Sequence, residues 1–210
     1  MGFVGYFTLS SLTNMQNSIR SIEDHNIPSL LALKDMKSSV QSVAESTNEY
    51  VVISDQSTKT DELDEIMSGK MDYSEALETY RSLSILYFPT KIEFVDVIQE
   101  KTNILFSTSD MIIKSNKTMT DTDFQIIHTD LSRKENDALK AIQNALENEQ
   151  NELRKVKEDL IKTQDGIWNM NLIMVITIIS FTTTSGVFFS KYVIEKLDDL
   201  MLQVEKLKRS

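Results

Sequence analysis

Between residues 11 and 166 the apolar positions recur in alternating steps of three and four, the spacing that lines one face of an α-helix. The first run passes through Leu12, Met15, Ile19 and Ile22, then polar Asn26 and Ser29, then Leu33, Met36, Val40, Val43, Thr47 and Tyr50. Its phase survives Pro28, which therefore reads as a kink inside one helix and not as a turn. Ser54-Asp55-Gln56-Ser57-Thr58 closes it with turn and cap formers. A second run, Leu63, Ile66, Lys70, Tyr73, Leu77 and Tyr80, contains Gly69 without a change of phase and ends near Tyr87-Phe88-Pro89-Thr90. The third is Val95, Ile98, Thr102, Leu105, Ser109 and Ile112. The fourth opens at Thr120-Asp121-Thr122-Asp123, good N-cap chemistry with acids in the first turn. It continues through Phe124, Ile127 and Leu131, and after a one-residue slip through Leu139, Ile142, Leu146, Glu149, Leu153, Val156, Leu160, Thr163 and Ile167.

The pattern then changes character. From Gly166 to Ser190 there are 25 residues without a charge, bounded by Asp165 and Lys191. As a helix they span about 37 Å, enough for a hydrocarbon core of about 30 Å. Thr182, Thr183, Thr184 and Ser185 fall in the second half, where hydroxyls can bond back to the preceding turn. Trp168 and Tyr192 stand at the two ends, the preferred place for amphipathic rings. A transmembrane helix over 167–190 is expected, with a buried central helix of a soluble protein as the competing reading. Gly2-Phe3-Val4-Gly5-Tyr6-Phe7-Thr8-Leu9 is apolar but too short to span. Residues 1–10 read as the last third of a first transmembrane helix, or alternatively as a short interfacial helix. Beyond the long stretch, Val193, Leu197, Leu200, Val204 and Leu207 make a heptad seam that runs to the C-terminus.

Composition narrows the fold. Five Gly and two Pro in 210 residues are too few for the turns of a sandwich, barrel or doubly wound sheet, so the chain is expected to be all-α. A chain leaving the membrane near residue 10 and returning near 166 must make an even number of traverses. The segments 10–54, 58–87, 90–115 and 121–166 satisfy this, the outer pair each reaching about 68 Å. The expected architecture is an elongated up-down four-helix bundle over 11–166, continuing into the transmembrane helix and a short coiled-coil helix over 191–210. Unrelated coiled-coil segments are the alternative.

Candidate chemistry is sparse. The absence of Cys excludes disulfides and thiolate metal sites, and a net charge of −10 with no basic stripe argues against nucleic acid. No Gly-rich phosphate loop, HExxH or EF-hand pattern occurs, so no catalytic, cofactor or metal residue is assigned and an enzyme is not expected. His25 and His128 lie a hundred residues apart and read as helix-surface residues. Lys70 and Glu149 fall on apolar seams, either as a polar layer that fixes register or as looser, solvated layers. Arg20, Arg81, Arg133 and Arg154 read as solvent-facing, with an anion site at a dimer interface as the sharper alternative. Asn116-Lys117-Thr118 is a glycosylation sequon in an expected distal loop.

Three features resemble the input half of a prokaryotic transmembrane receptor, either a sensor histidine kinase or a methyl-accepting chemoreceptor. Asn26-Ile27-Pro28 followed by Leu30, Leu33 and Met36 is similar to the start of chemoreceptor sensor bundles. The bundle–membrane–helix order matches over nearly the whole chain. The segment Ser190-Lys191-Tyr192-Val193-Ile194-Glu195-Lys196-Leu197-Asp198-Asp199-Leu200 resembles the first helix of a HAMP linker, and Val204 to Ser210 is similar to the coiled coil entering kinase dimerisation helices.

The resemblance implies a membrane-bound sensory input module for signal transduction, working as a homodimer in a lipid bilayer. It implies an extracytoplasmic bundle, a cytoplasmic C-terminal helix, and an unidentified small-molecule ligand or binding protein as stimulus. Charge alone barely orients the chain: five basic residues follow the apolar stretch (Lys191, Lys196, Lys206, Lys208, Arg209) and four precede it (Arg154, Lys155, Lys157, Lys162). The competing class is a membrane-tethered structural or adaptor coiled-coil protein.

Overall fold

The computed structural model describes residues 2–115 and 121–208, with side chains placed for 5, 6, 8–115, 125–197 and 201. The sequon at Asn116 and the capping residue Thr120 lie outside the described residues, as do the side chains of Phe124, Leu200, Val204 and Leu207. Among the described residues there is no strand. Helix α1 covers Gly2–Ser21, a π-helical turn Ile22–Asn26, α2 Ile27–Val52, α3 Gln56–Tyr87, a 3₁₀ turn Pro89–Lys91, α4 Ile92–Ser115 and α5 Asp121–Lys208. By contacts the chain divides into two units, Gln16–Glu158 and the pair of segments Met1–Met15 and Asp159–Ser210.

The helical path runs through Pro28, as its seam predicts, and the π turn shows how. Proline lacks an N–H, and its ring crowds the carbonyl four residues back. One wider turn accommodates this, with the Ile27 N–H bonding to the Ile22 carbonyl, five residues away. The break after α2 is a true stop. Ile53 is extended, and Asp55 caps α3 by accepting the Thr58 N–H at 3.0 Å and the Thr58 hydroxyl at 2.9 Å.

Within Gln16–Glu158, α2, α3, α4 and the first part of α5 share one core. Leu33, Met36 and Val40 of α2 meet Tyr73 and Tyr80 of α3, Val95, Ile98 and Leu105 of α4, and Leu131, Ala138 and Ile142 of α5. Every position of the third seam is buried, including polar Thr102 and Ser109. Helices α2 and α3 approach closely at Gly69, where an added Cβ would stand 2.8 Å from Val43 Cγ2.

The fourth seam needs a correction. Ala138 is fully buried and Leu139 only partly so. The steps run Leu131, Ala138, Ile142, Ala145 and Glu149 without a slip, because the small alanines let α5 approach its neighbours. Leu146 is buried in this same core, so it belongs to the protomer interior. At the other end the first seam leaves the core: Leu12 and Ile19 are exposed.

Helix α5 runs unbroken for 88 residues, so the packed segment and the uncharged stretch belong to one helix. It is the one helix among the described residues long and apolar enough to cross a membrane, and none of its most apolar window is buried. Thr177, Thr182, Thr183 and Thr184 each donate to the carbonyl four residues back, at 2.7–2.8 Å. Their hydroxyls are thereby satisfied without water.

Candidate functional site: a buried charged cluster

Phe88 ends α3 because Pro89 follows it. A residue before proline is pushed out of the helical region, and Phe88 adopts φ −138°, ψ 63°. Its N–H still bonds to the Ser84 carbonyl at 2.9 Å, and the Lys91 N–H bonds to the Phe88 carbonyl at 2.8 Å. This tight 3₁₀ turn aims Lys91 inward. Its side chain is 3% exposed, with Nζ 2.8 Å from Glu149 Oε1, 2.6 Å from Glu152 Oε2 and 3.7 Å from the centre of the Phe88 ring.

Glu149 is fully buried. The Tyr80 hydroxyl donates to its Oε1 through a long bond of 3.5 Å, while Oε2 has no partner. Burial raises the affinity of this carboxyl for a proton above that of an ordinary Glu; the ion pair with Lys91 opposes the shift without reversing it. Burial and then the Glu149 charge push the Tyr80 phenol up as well, so Tyr80 acts only as a neutral donor. Removing two charges from water costs several kcal/mol each, by general magnitudes, and their attraction offsets this only with good geometry. The Lys91–Glu149 pair has the distance but leaves half the carboxylate unmet.

The cluster continues into aromatic rings. The His25 ring, on the π turn, stacks on Tyr87 with centroids 3.5 Å apart, and Phe88 stands edge-on to His25 at 6.4 Å. His25 Nδ1 and Ser29 Oγ, one turn along, are buried without partners, and Asn26 beside them is buried too. Three parts of the chain thus meet here: the π turn, the α3–α4 connection and α5.

Two further polar layers lie in the same unit. The Thr47 and Ser109 hydroxyls sit 2.6 Å apart across α2 and α4. Further along α4, where the Tyr73 hydroxyl donates to the Ile98 carbonyl at 3.5 Å, burial raises the Tyr73 phenol to about 12. Towards the α2–α3 connection, Glu62 is held above the usual carboxylate range by burial and by the neighbouring Glu49 charge, while the Ser46 hydroxyl donates to Glu65 at 2.9 Å. Among the described residues no group of three or more His, Cys, Asp or Glu is placed to hold a metal ion.

The two seam charges do not form one layer. Glu149 pairs with Lys91, whereas Lys70 reaches Asp110 on α4 at 2.6 Å, with Asp110 half exposed. His25 is not a fully exposed surface residue, since its ring, carried by the π turn, is half-buried against Tyr87. His128 is exposed, 3.1 Å from Asn48 Oδ1. The arginines serve local partners: Arg81 donates to Gln99 at 2.6 Å, Arg133 to Asp130 at 2.7 Å and Arg154 to Asn151 at 3.2 Å. Arg20 is exposed. Lys91 and Tyr80 are the members that sequence reasoning missed in their polar role. A signal for Lys91 existed: one step of four back from Val95 extends the third seam to it. Comparison with family models, with curated proteins and with solved structures gives no match.

Proposed function

We propose that this chain is a membrane-bound sensory input module for transmembrane signal transduction, of the kind that precedes a histidine kinase or chemoreceptor output, and that it acts as a homodimer. In this reading α2, α3, α4 and the first part of α5 form an up-down four-helix bundle outside the cytoplasm. Residues 167–190 cross the bilayer, and the helix beyond Lys191 enters the cytoplasm. The order of contacts supports the up-down path. Val43 meets Gly69 and Ser46 meets Glu65; Lys70 meets Asp110 and Arg81 meets Gln99; Lys91 meets Glu149 and Thr108 meets Lys134. In each pair of helices one number rises as the other falls.

The observation that carries the proposal is the continuity of α5. A single helix with no break carries both core residues such as Ile142 and the uncharged stretch from Gly166 to Ser190. A change of packing in the core is then coupled to the far end of the same rod, where a hinged connection would absorb it.

Single cysteines test it in native membranes, since the chain has none to remove. Leu197 is exposed on the heptad seam beyond the uncharged stretch, so Leu197→Cys should give a disulfide-linked dimer on mild oxidation. Leu146→Cys, buried in the protomer core, should not. Equal cross-linking at Leu197 and at off-seam Ile194, or none at either, would rule out the dimeric seam. Labelling of Met71→Cys by an impermeant maleimide in intact cells should occur from outside; protection there would reverse the orientation.

A further inference from the structure

Helices α2 and α3 lie close together around Gly69, where an added Cβ would stand 3.5 Å from the Ser39 carbonyl as well as 2.8 Å from Val43 Cγ2. From there towards Pro28 the facing positions are small, Ala32 and Ser39 on α2 and Ala76 on α3, and all three are buried. Small side chains between two helices leave a trough along the pair. It holds about 580 Å³, and a second hollow of about 210 Å³ continues it towards Glu65, sharing Ser38, Ser39 and Asp72 with it. The rims are acidic. Asp35 of α2 and Asp72 and Glu75 of α3 stand exposed along the trough, Glu65 lines the second hollow, and no Lys or Arg lines either one. The neighbouring lysines turn elsewhere: Lys37 donates to Gln143 on α5 at 3.5 Å and Lys70 to Asp110 on α4 at 2.6 Å.

We propose that the α2–α3 trough binds a linear aliphatic polyamine, with ammonium groups on Asp35, Asp72 and Glu75 and methylenes over Ala32 and Ala76. Three observations select this chemistry. Asp35, Asp72 and Glu75 have no ion-pair partner among the described residues, so the chain itself leaves the negative charge of the trough unanswered. Ser39, only 7% exposed, lines both hollows, and its hydroxyl has no hydrogen-bond partner among the described residues. It is an acceptor on the floor, available to an ammonium N–H. The carboxylates, finally, are strung out along the helices: Glu65 to Glu75 is ten residues of α3, about 15 Å at 1.5 Å per residue. They do not converge as the ligands of a metal ion would. A cation whose own charges are spaced by methylenes matches that distribution.

Affinity in such a site is built from several modest contacts. Each exposed ion pair contributes about two- to fivefold, and linking the ammonium groups in one molecule makes the later contacts intramolecular. The methylenes between them cover the small floor and reach Pro28 and Leu31 at one end of the trough. Because the rims are open to water, salt screens the attraction. The bound amine bridges α2 and α3 along their outer contact. Binding as a local event stands by itself; its use as the stimulus of the module rests on the sensory reading above.

Calorimetric titration of the full chain in dodecyl maltoside with spermine, at low salt and neutral pH, tests the site. One spermine should bind per chain, about tenfold more tightly than putrescine, whose two ammonium groups reach fewer of the carboxylates. Asp35→Asn/Asp72→Asn/Glu75→Gln should weaken binding about tenfold or more, and Ser39→Ala about threefold. Glu93→Gln/Glu100→Gln/Glu158→Gln removes the same charge from exposed positions of α4 and α5 and should stay within about twofold of the wild type. Hydrogen exchange by mass spectrometry gives a readout on the wild type alone: spermine should slow exchange in peptides covering 30–40 and 68–79. The proposal is overturned if spermine produces neither heat nor protection there, if Mg²⁺ or putrescine binds as tightly, or if the two triple variants lose affinity equally. Binding in micelles does not depend on membrane topology, so failure of this site and failure of the sensory reading are distinguishable.

Discussion

Replacing Lys91 with methionine keeps most of the side-chain volume against Phe88 and removes the cation that neutralises Glu149. The carboxylate is fully enclosed and is left with one bond of 3.5 Å from Tyr80. Breaking one side of a buried pair destabilises by about 3–5 kcal/mol, because the remaining charge keeps its desolvation penalty. The second contact of Lys91, to Glu152, adds little, since that carboxylate is more than a third exposed. Lys91→Met should therefore lower stability by about 3 kcal/mol or more near neutral pH. The double variant Lys91→Met/Glu149→Leu leaves no charge behind and should return to within about 1 kcal/mol of the wild type, or exceed it. The pH dependence follows from Glu149, whose proton affinity is raised on folding. A raised carboxyl contributes stability below its unfolded pKa, and that contribution is lost as pH rises through the folded value. Removing Lys91 raises the folded value further, so the penalty of the single variant should shrink on acidification and grow towards neutrality. Urea denaturation in dodecyl maltoside, followed by far-UV circular dichroism at a series of pH values, measures both effects. A single variant within 1 kcal/mol of wild type at pH 7, or a double variant weaker than both singles, would refute the account of the cluster.

Other sites give independent checks. Gly69→Ala gains about 1 kcal/mol of helix propensity but forces a methyl against Val43, a short branched side chain in a packed core, so a net loss of about 1–2 kcal/mol is expected in the same denaturation assay. Thr47→Val removes one side of the buried pair with Ser109 and should cost about 1–3 kcal/mol, most of it recovered by adding Ser109→Ala; additive losses would contradict the pairing. Val175→Arg puts a charge at the centre of the uncharged stretch, worth about 3 kcal/mol against insertion, and should shift the chain out of the carbonate-resistant membrane fraction. Asp55 is held below the usual carboxylate range by the Thr58 N–H and hydroxyl, so its capping stability is present above the unfolded pKa and is lost as pH falls through the folded one. Asp55→Ala should lower the melting temperature at neutral pH and flatten its acid dependence.

Much of the fold is local in origin, and that part is readable. The period of an α-helix is set by backbone geometry, so a seam such as Val95, Ile98, Thr102, Leu105, Ser109 and Ile112 identifies a buried face without knowledge of what covers it. All six positions are in the core, polar ones included. The same holds for the stop at Asp55, where capping chemistry acts within one turn, and for the uncharged stretch of α5, whose length and composition are properties of the chain itself.

What covers a face is a different matter. Lys91 and Glu149 are 58 residues apart, and their pairing depends on the connection at Pro89 bringing one turn of chain against the side of another helix. Glu149 stood out as a charge on an apolar seam, yet the seam itself names no partner, and Lys70, the other seam charge, turns to Asp110 instead. Ala138 displaced Leu139 from the core for a related reason: volume along one helix favours leucine, while the distance between helices decides how much volume fits. His25 is half-buried through its contact with Tyr87, sixty-odd residues on. Helical period and the uncharged span were therefore determined by the sequence alone, because each arises within a few turns of one chain. Partnership, depth and register between helices were decided only in the tertiary structure, because each depends on the separation and rotation of two surfaces at once.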